Sequence, residues 1–255
     1  KNKFNLDKFS YSNIFDLFKI LIDRKNDIKT IDISGFWSEM DSLNDIKSFV
    51  FKGKANTLKY LENKISTAKI LPQINFSISQ WELSKKIIIE NVISTKWKKL
   101  VVRSSGKNED NSNSSLAGKF LSILNVPNTP LKIEKSVEKV ISSFQQKSSY
   151  FWNNKILIQP YLSNTSTNGV AFSVDLKNGG PYFVINYDKT SLTNTITSGI
   201  AKQQKIVYVS REFKQIKKLH KSTRMIIKLI IELEKITGTN LDIEFSIKKN
   251  ELYLF

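Results

Sequence analysis

Residues 101–126 read VVRSSGKNEDNSNSSLAGKFLSILNV. An apolar pair runs straight into Arg103, a loop of small polar residues follows, and a second apolar run closes the stretch. Arg103 stands out because only four of the chain's 40 basic residues are arginine. At the end of a strand its planar fork of donors fits a phosphate. The loop ends in Ser115-Leu116-Ala117-Gly118, where small residues let the backbone come close to a ligand. Taken alone, a loop of this composition more often reads as a solvated Ser/Asn turn.

Two further places offer the groups that would complete a phosphate site. Gly53-Lys54 opens a helical pattern through Leu58 and Leu61. Helix N-termini favour anions, and a lysine there can reach terminal phosphates. No glycine stands five residues before Gly53, so this is not a Walker loop. Asp242-Ile243-Glu244 lies on a predicted strand, where side chains two apart share a face and can meet one ion. Magnesium takes such oxygen donors, although an isolated D-x-E also suits an ordinary surface strand.

The coarse element pattern is mixed. Residues 12–24 read as an amphipathic helix with Ile14, Phe15, Leu17, Phe18, Leu21 and Ile22 on one stripe. Residues 31–35 suggest a short strand. Ser79 with Glu82 predicts a capping box for a helix to Ser94. Strands are expected at Leu100–Val102, Phe120–Val126, Ile156–Ile158, Val170–Val174, Tyr182–Ile185, Leu241–Ile247 and Leu252–Phe255. Helices are expected at 131–147 and 211–236, the latter ended by Gly238. Asn178-Gly179-Gly180-Pro181 and Lys249-Asn250 read as turns. There is no internal repeat. The order gives an α/β (α+β) chain.

At 255 residues the chain can bury a sizeable core. It has no cysteine, hence no disulfide framework and no thiolate metal site, which fits a cytoplasmic protein. The first residues lack the apolar core of a signal peptide, and no apolar run nears the roughly 20 residues that span a bilayer. The formal charge of +17 would suit a nucleic-acid binder. Scattered lysines and scarce arginine instead suggest compositional bias, with Lys, Asn, Ile and Ser abundant together. A positive field would also attract a polyphosphate. His220 is the only histidine, on a lysine-rich stretch with no partner for a dyad or a metal.

In order and spacing the motifs resemble the nucleotide-binding domain of the phosphoenolpyruvate synthase and pyruvate phosphate dikinase family. That family reads G-K-x-x-x-L, V-P, F-x-I/V-T, V-R-S-S, E-D, S-x-A-G and a strand ending N-V, as around Gly53, Leu71-Pro72, Phe76-Ser77-Ile78 and 101–126 here. Gln159-Pro160-Tyr161 resembles the hinge beside the adenine. Asn168–Asp175 resembles the strand G-V-[AM]-F-[ST]-x-D, and Asp242-Ile243-Glu244 the D-I-E-[FW] segment. Tyr187-Asp188 and Thr197-Ser198-Gly199 recur in some members. The resemblance covers residues 49–255. One departure is Lys52-Gly53 where the family has a double glycine.

The resemblance implies a two-lobed, ATP-grasp-like fold. An N-terminal extension (1–48) would precede a first lobe (49–150) and a second (151–255). It implies ATP and Mg2+ as ligands. Lys54 and Arg103 would be the catalytic, phosphate-binding cations, Gly118 the glycine of the phosphate loop, and Gln159 and Glu244 further nucleotide contacts. Asp242 and Glu244 would hold the metal. Ser122 falls where a hydroxyl faces the nucleotide, or else points to water. Glu109 and Asp110 match E-D, with loop ordering favoured over metal binding.

The implied reaction phosphorylates a histidine on a separate swivelling domain, giving AMP and phosphate, and a third domain passes the phosphate to a small acceptor. No T-S-H motif for that histidine occurs here. The family's Q-x-R-P would come next after Phe255, so the chain is expected to be a fragment that does not run the full reaction alone. Its style is closest to capsule-associated members, with the amide of L-glutamine as expected acceptor. Pyruvate and then rifampicin are the alternatives, and a non-enzymatic basic nucleic-acid-binding module is the competing class.

Overall fold

The computed structural model describes residues 14–29, 51, 53–105, 121–144, 151–188 and 204–255. The chain divides into two compact units, Lys1–Asp45 and Ile46–Phe255. In the first, helix α1 spans Ile14–Asp23, and Leu17, Phe18 and Ile22 are exposed. The strand expected at 31–35 lies outside the described residues.

The second unit holds two sheets. Four strands order as β2-β5-β3-β4: β2 (Ile74–Ser77), β5 (Lys155–Pro160), β3 (Lys99–Ser105) and β4 (Ser122–Pro127). Six order as β1-β10-β9-β6-β7-β8: β1 (Lys69–Ile70), β10 (Glu251–Leu254), β9 (Asp242–Lys248), β6 (Thr167–Phe172), β7 (Tyr182–Asp188) and β8 (Lys205–Ser210). Only β1 and β10 run parallel; every other pair is antiparallel. The sheets interleave in sequence. β5 completes the smaller sheet from beyond residue 150, and β1 joins the larger from the first half of the unit.

Alternation splits each sheet into an apolar and a polar face. In the smaller sheet Phe76, Leu100, Val102, Ile156 and Ile158 face helices α3 (Ile78–Ser94) and α4 (Pro130–Ser142). There they meet Trp81, Val92, Ile133 and Val137, all fully buried. Burying each such side chain contributes about 1.5–3 kcal/mol. In the larger sheet Ala171, Ile185, Ile243, Phe245 and Ile247 pack with Ile226, Ile230 and Leu233 of helix α5 (Lys221–Thr237). Helix α2 (Lys54–Leu61) adds Ala55, Leu58 and Leu61 to that core. Leu157, on the other face of β5, also joins it, so the polar-side face of the small sheet meets the core of the large one.

Several expectations shift by a few residues, each for a visible reason. α3 starts at Ile78, because Ser77 and Gln80 form the reciprocal capping box rather than Ser79 and Glu82. Ser77 Oγ accepts from Gln80 N at 3.1 Å and Gln80 Oε1 accepts from Ser77 N at 2.8 Å. The helix expected at 211–236 begins only at Lys221, where His220 caps it by accepting from Ser222 N through Nδ1 at 3.3 Å. A 3-10 turn, Ile216–Lys218, occupies the stretch before it. β8 was not foreseen, although Lys205–Ser210 alternates as an edge strand would. Lys249 and Asn250 both have positive φ, 49° and 63°, as a tight hairpin turn requires.

Candidate functional site

Three elements distant in sequence meet at one carboxylate. β9 carries Glu244, whose flanking Ile243 and Phe245 are buried in the core. The glutamate is thereby fixed on the opposite face. Lys54 opens α2 after Gly53, whose φ of +80° is a conformation that glycine adopts freely. A single glycine therefore suffices for the turn, despite Lys52 in place of the family's first glycine. Arg103 projects from β3 between the inward-facing Val102 and Ser104.

The carboxylate is shared. Lys54 Nζ lies 3.0 Å from Glu244 Oε1, and Arg103 Nη2 lies 2.9 Å from Oε2. The Arg103 side chain is only 11% exposed. Burial alone would raise the Glu244 pKa. The charges of Lys54 and Arg103 and their hydrogen bonds outweigh it and hold the group ionised, down to about 2.

Around this pair stand two residues to which the motifs gave no role. Ser105, on the same face of β3 as Arg103, accepts through Oγ from Ala55 N in the first turn of α2 at 2.9 Å. Lys155 sits directly across from Ser105 on β5, and its Nζ donates to Asn56 Oδ1 at 2.8 Å. The signal for both was simple alternation. Ser105 lies two residues beyond Arg103, and Lys155 four before Gln159.

The remaining expected site residues fall as follows. Ser122 is exposed and pairs with Arg103 across β4 and β3, so the two share a face. Gln159 is on that face but buried, its Nε2 donating to Leu71 O at 3.3 Å. Asp242 is exposed, two residues before Glu244 and on its side of β9. Gly118, Glu109 and Asp110 lie outside the described residues, as do Ser115–Ala117 and Thr197–Gly199.

Two observations bear on a phosphate ligand and its metal. Asn186, opposite Val170 and hence in the same cross-strand row as Glu244, has a buried Oδ1 with no hydrogen-bond donor among the described residues. Among the described residues no group of three or more His, Cys, Asp or Glu side chains could hold a metal. Asp242 and Glu244 are the oxygen pair that remains, and Glu244 is already engaged by two cations. No described helix is long and apolar enough to cross a membrane.

The two sheets are thus bridged by a cluster in which two cations share one carboxylate. Residues 38–228 match the family described as pyruvate phosphate dikinase, AMP/ATP-binding domain, and the chain belongs to that family. Its architecture is α+β with two sheets, the mixed class expected from the sequence. No curated protein matches the sequence.

Among solved structures, D-alanyl-alanine synthetase A from Vibrio cholerae is 13% identical at TM-score 0.46, covering 83% of this chain and 54% of that one. D-alanine–D-alanine ligase from Bacillus anthracis is 12% identical at TM-score 0.43, covering 83% and 57%. ATP citrate lyase from Methanothrix soehngenii is 13% identical at TM-score 0.46, covering 80% and 49%. This chain thus spans about half the length of these proteins, and similarities this distant decide nothing about its chemistry.

Proposed function

We propose that the second unit binds Mg-ATP between its two sheets, as the nucleotide-binding part of a dikinase. The observation that carries this reading is the convergence of Lys54 and Arg103 on Glu244. Each cation keeps donors beyond those the carboxylate uses. Phosphoryl transfer rests chiefly on positioning and charge neutralisation, for which an ammonium and a guanidinium suit a polyphosphate. Membership of the AMP/ATP-binding family supports the adenine nucleotide.

In this reading Lys54 and Arg103 bind the phosphates, Ser122 lies on the face of Arg103, and Gly118 is the glycine of the phosphate loop. Gln159 marks the hinge segment beside the adenine. Asp242 and Glu244 supply oxygens to magnesium, whose small shell is commonly completed by phosphate and water. The ion would neutralise phosphate charge. Glu244 would then exchange part of its contact with the two cations for the metal.

The reaction class we propose is pyrophosphoryl transfer to a histidine on another domain, with AMP and phosphate as products and phosphohistidine as the intermediate. His220 caps α5 and is not that acceptor. We extend the proposal to the side-chain amide of L-glutamine as final acceptor in capsule modification, supported by the V-R-S-S-G-K-x-E-D style of the sequence. Pyruvate is the alternative acceptor.

Isothermal titration of the 255-residue chain with ATP, with and without magnesium, tests the nucleotide reading. Magnesium-dependent ATP binding that ADP and AMP compete for is the expected result. Indifference to the base, with affinity for any polyanion collapsing as salt rises, would instead mark a basic nucleic-acid-binding module.

A further inference from the structure

We propose that Lys155 is a third cation of the phosphate site, binding the polyphosphate of ATP alongside Lys54 and Arg103. The inference rests on the nucleotide reading above and adds to it a residue that no motif marks.

Position comes first. Lys155 opens β5 directly opposite Ser105, and residues opposed across an antiparallel pair share a face with Cβ atoms about 5 Å apart. Arg103 is on that face two residues along. Ser105 is bonded to Ala55 N, and Lys155 Nζ to Asn56 Oδ1. The ammonium is therefore tied to the same first helical turn that presents Lys54.

Charge comes second. Lys54 and Arg103 share one carboxylate, whereas the described partner of Lys155 is a neutral amide. A half-buried ammonium with no counter-ion among the described residues is unfavourable, and burial lowers its pKa below the ordinary 10.5. Its amide contact uses one of three donors. Lys54 and Arg103 share the charge of Glu244, which leaves the ammonium of Lys155 unbalanced by any described carboxylate in contact with it. A polyphosphate would remove that imbalance. A mononucleotide carrying one phosphate, bound through its base, would do so far less.

The test compares ATP with AMP. In calorimetry on the 255-residue chain, Lys155→Met should weaken ATP about tenfold or more, as loss of a charge-assisted contact does. AMP should bind as in the wild type, and Lys155→Arg should retain most ATP affinity. Equal ATP affinity in wild type and Lys155→Met, or an equal loss for ATP and AMP, overturns the proposal while leaving the nucleotide reading intact. Wild-type protein that binds no adenine nucleotide overturns both.

A second measurement needs no variant. Acetic anhydride should acetylate Lys155 of the wild type, followed by peptide mass spectrometry. ATP should slow that labelling at least about fivefold and AMP should not, since protection follows occupancy of the ammonium. Labelling unaffected by ATP contradicts the proposal even if Lys155→Met fails to fold.

Discussion

Two glutamates of the second unit are held ionised by opposite means. Glu232, on α5, staples the loop before β1. It accepts from Ser66 N at 2.8 Å, Ser66 Oγ at 2.7 Å and Thr67 N at 3.0 Å, and also from Thr67 Oγ1. Burial pushes its pKa up, and these neutral donors outweigh it and bring it down. Glu244 reaches the same outcome through two cations from α2 and β3. In the proposed reading, that difference separates a structural carboxylate from one at the ligand site. Four neutral donors saturate Glu232 and leave nothing to exchange. Glu244 compensates cations that a more highly charged anion can take over.

The harshest way to break the Glu244 side is through its neighbouring strand. Gly169 pairs with Phe245, next to Glu244 in sequence. A Cβ there would meet Asn186 O at 2.4 Å and the Phe245 ring at 2.6 Å. Gly169→Ala should therefore cost about 3 kcal/mol of stability, as overpacking against backbone does. A urea midpoint unchanged from wild type would show that β6 and β9 are not packed this way.

Arg103→Ala is next. It should lower ATP affinity about 100-fold, or about 2.7 kcal/mol, with the far-ultraviolet circular dichroism intact. Unchanged affinity in calorimetry counts against the assignment. Glu232→Ala sharpens the contrast from the other side. Loss of the staple should cost about 1–2 kcal/mol in urea unfolding while ATP affinity stays at the wild-type value. A matching loss of ATP binding would erase the distinction between the two carboxylates.

The remaining effect is in acid. Glu244 titrates at about 2 in the folded protein against an ordinary 4.5. A depressed carboxylate stabilises the fold fully above its unfolded pKa and loses that contribution as pH falls through the folded one. The difference in urea midpoint between wild type and Glu244→Gln should accordingly shrink between pH 4.5 and about pH 2. A difference constant across that window contradicts the cation pairing.

Much of the cluster was legible because it is written in local strings. Gly53-Lys54 marks a helix start, Arg103 a strand end, and Asp242-Ile243-Glu244 a strand face, and period-2 alternation aims the side chains of the two strands. What local strings do not contain is register. Lys155 becomes a neighbour of the cluster only because β5 pairs with β3 so that it faces Ser105. The direct pairing of Glu244 with both cations depends on α2 and β9 being brought together by a shared core. The later start of α5 was hidden for a different reason. Residues 211–220 carry apolar side chains at helical spacing, but the first of them continue from β8 into a turn that Arg211 anchors by donating to Ser173 O at 3.0 Å.

A crystal structure of the chain with magnesium and a non-hydrolysable ATP analogue tests the central claim most directly. The account predicts terminal phosphate oxygens within hydrogen-bond distance of Lys54 and Arg103, with Glu244 turned in part toward the metal. Nucleotide bound elsewhere, with the Lys54–Glu244–Arg103 bridge still closed, would contradict it.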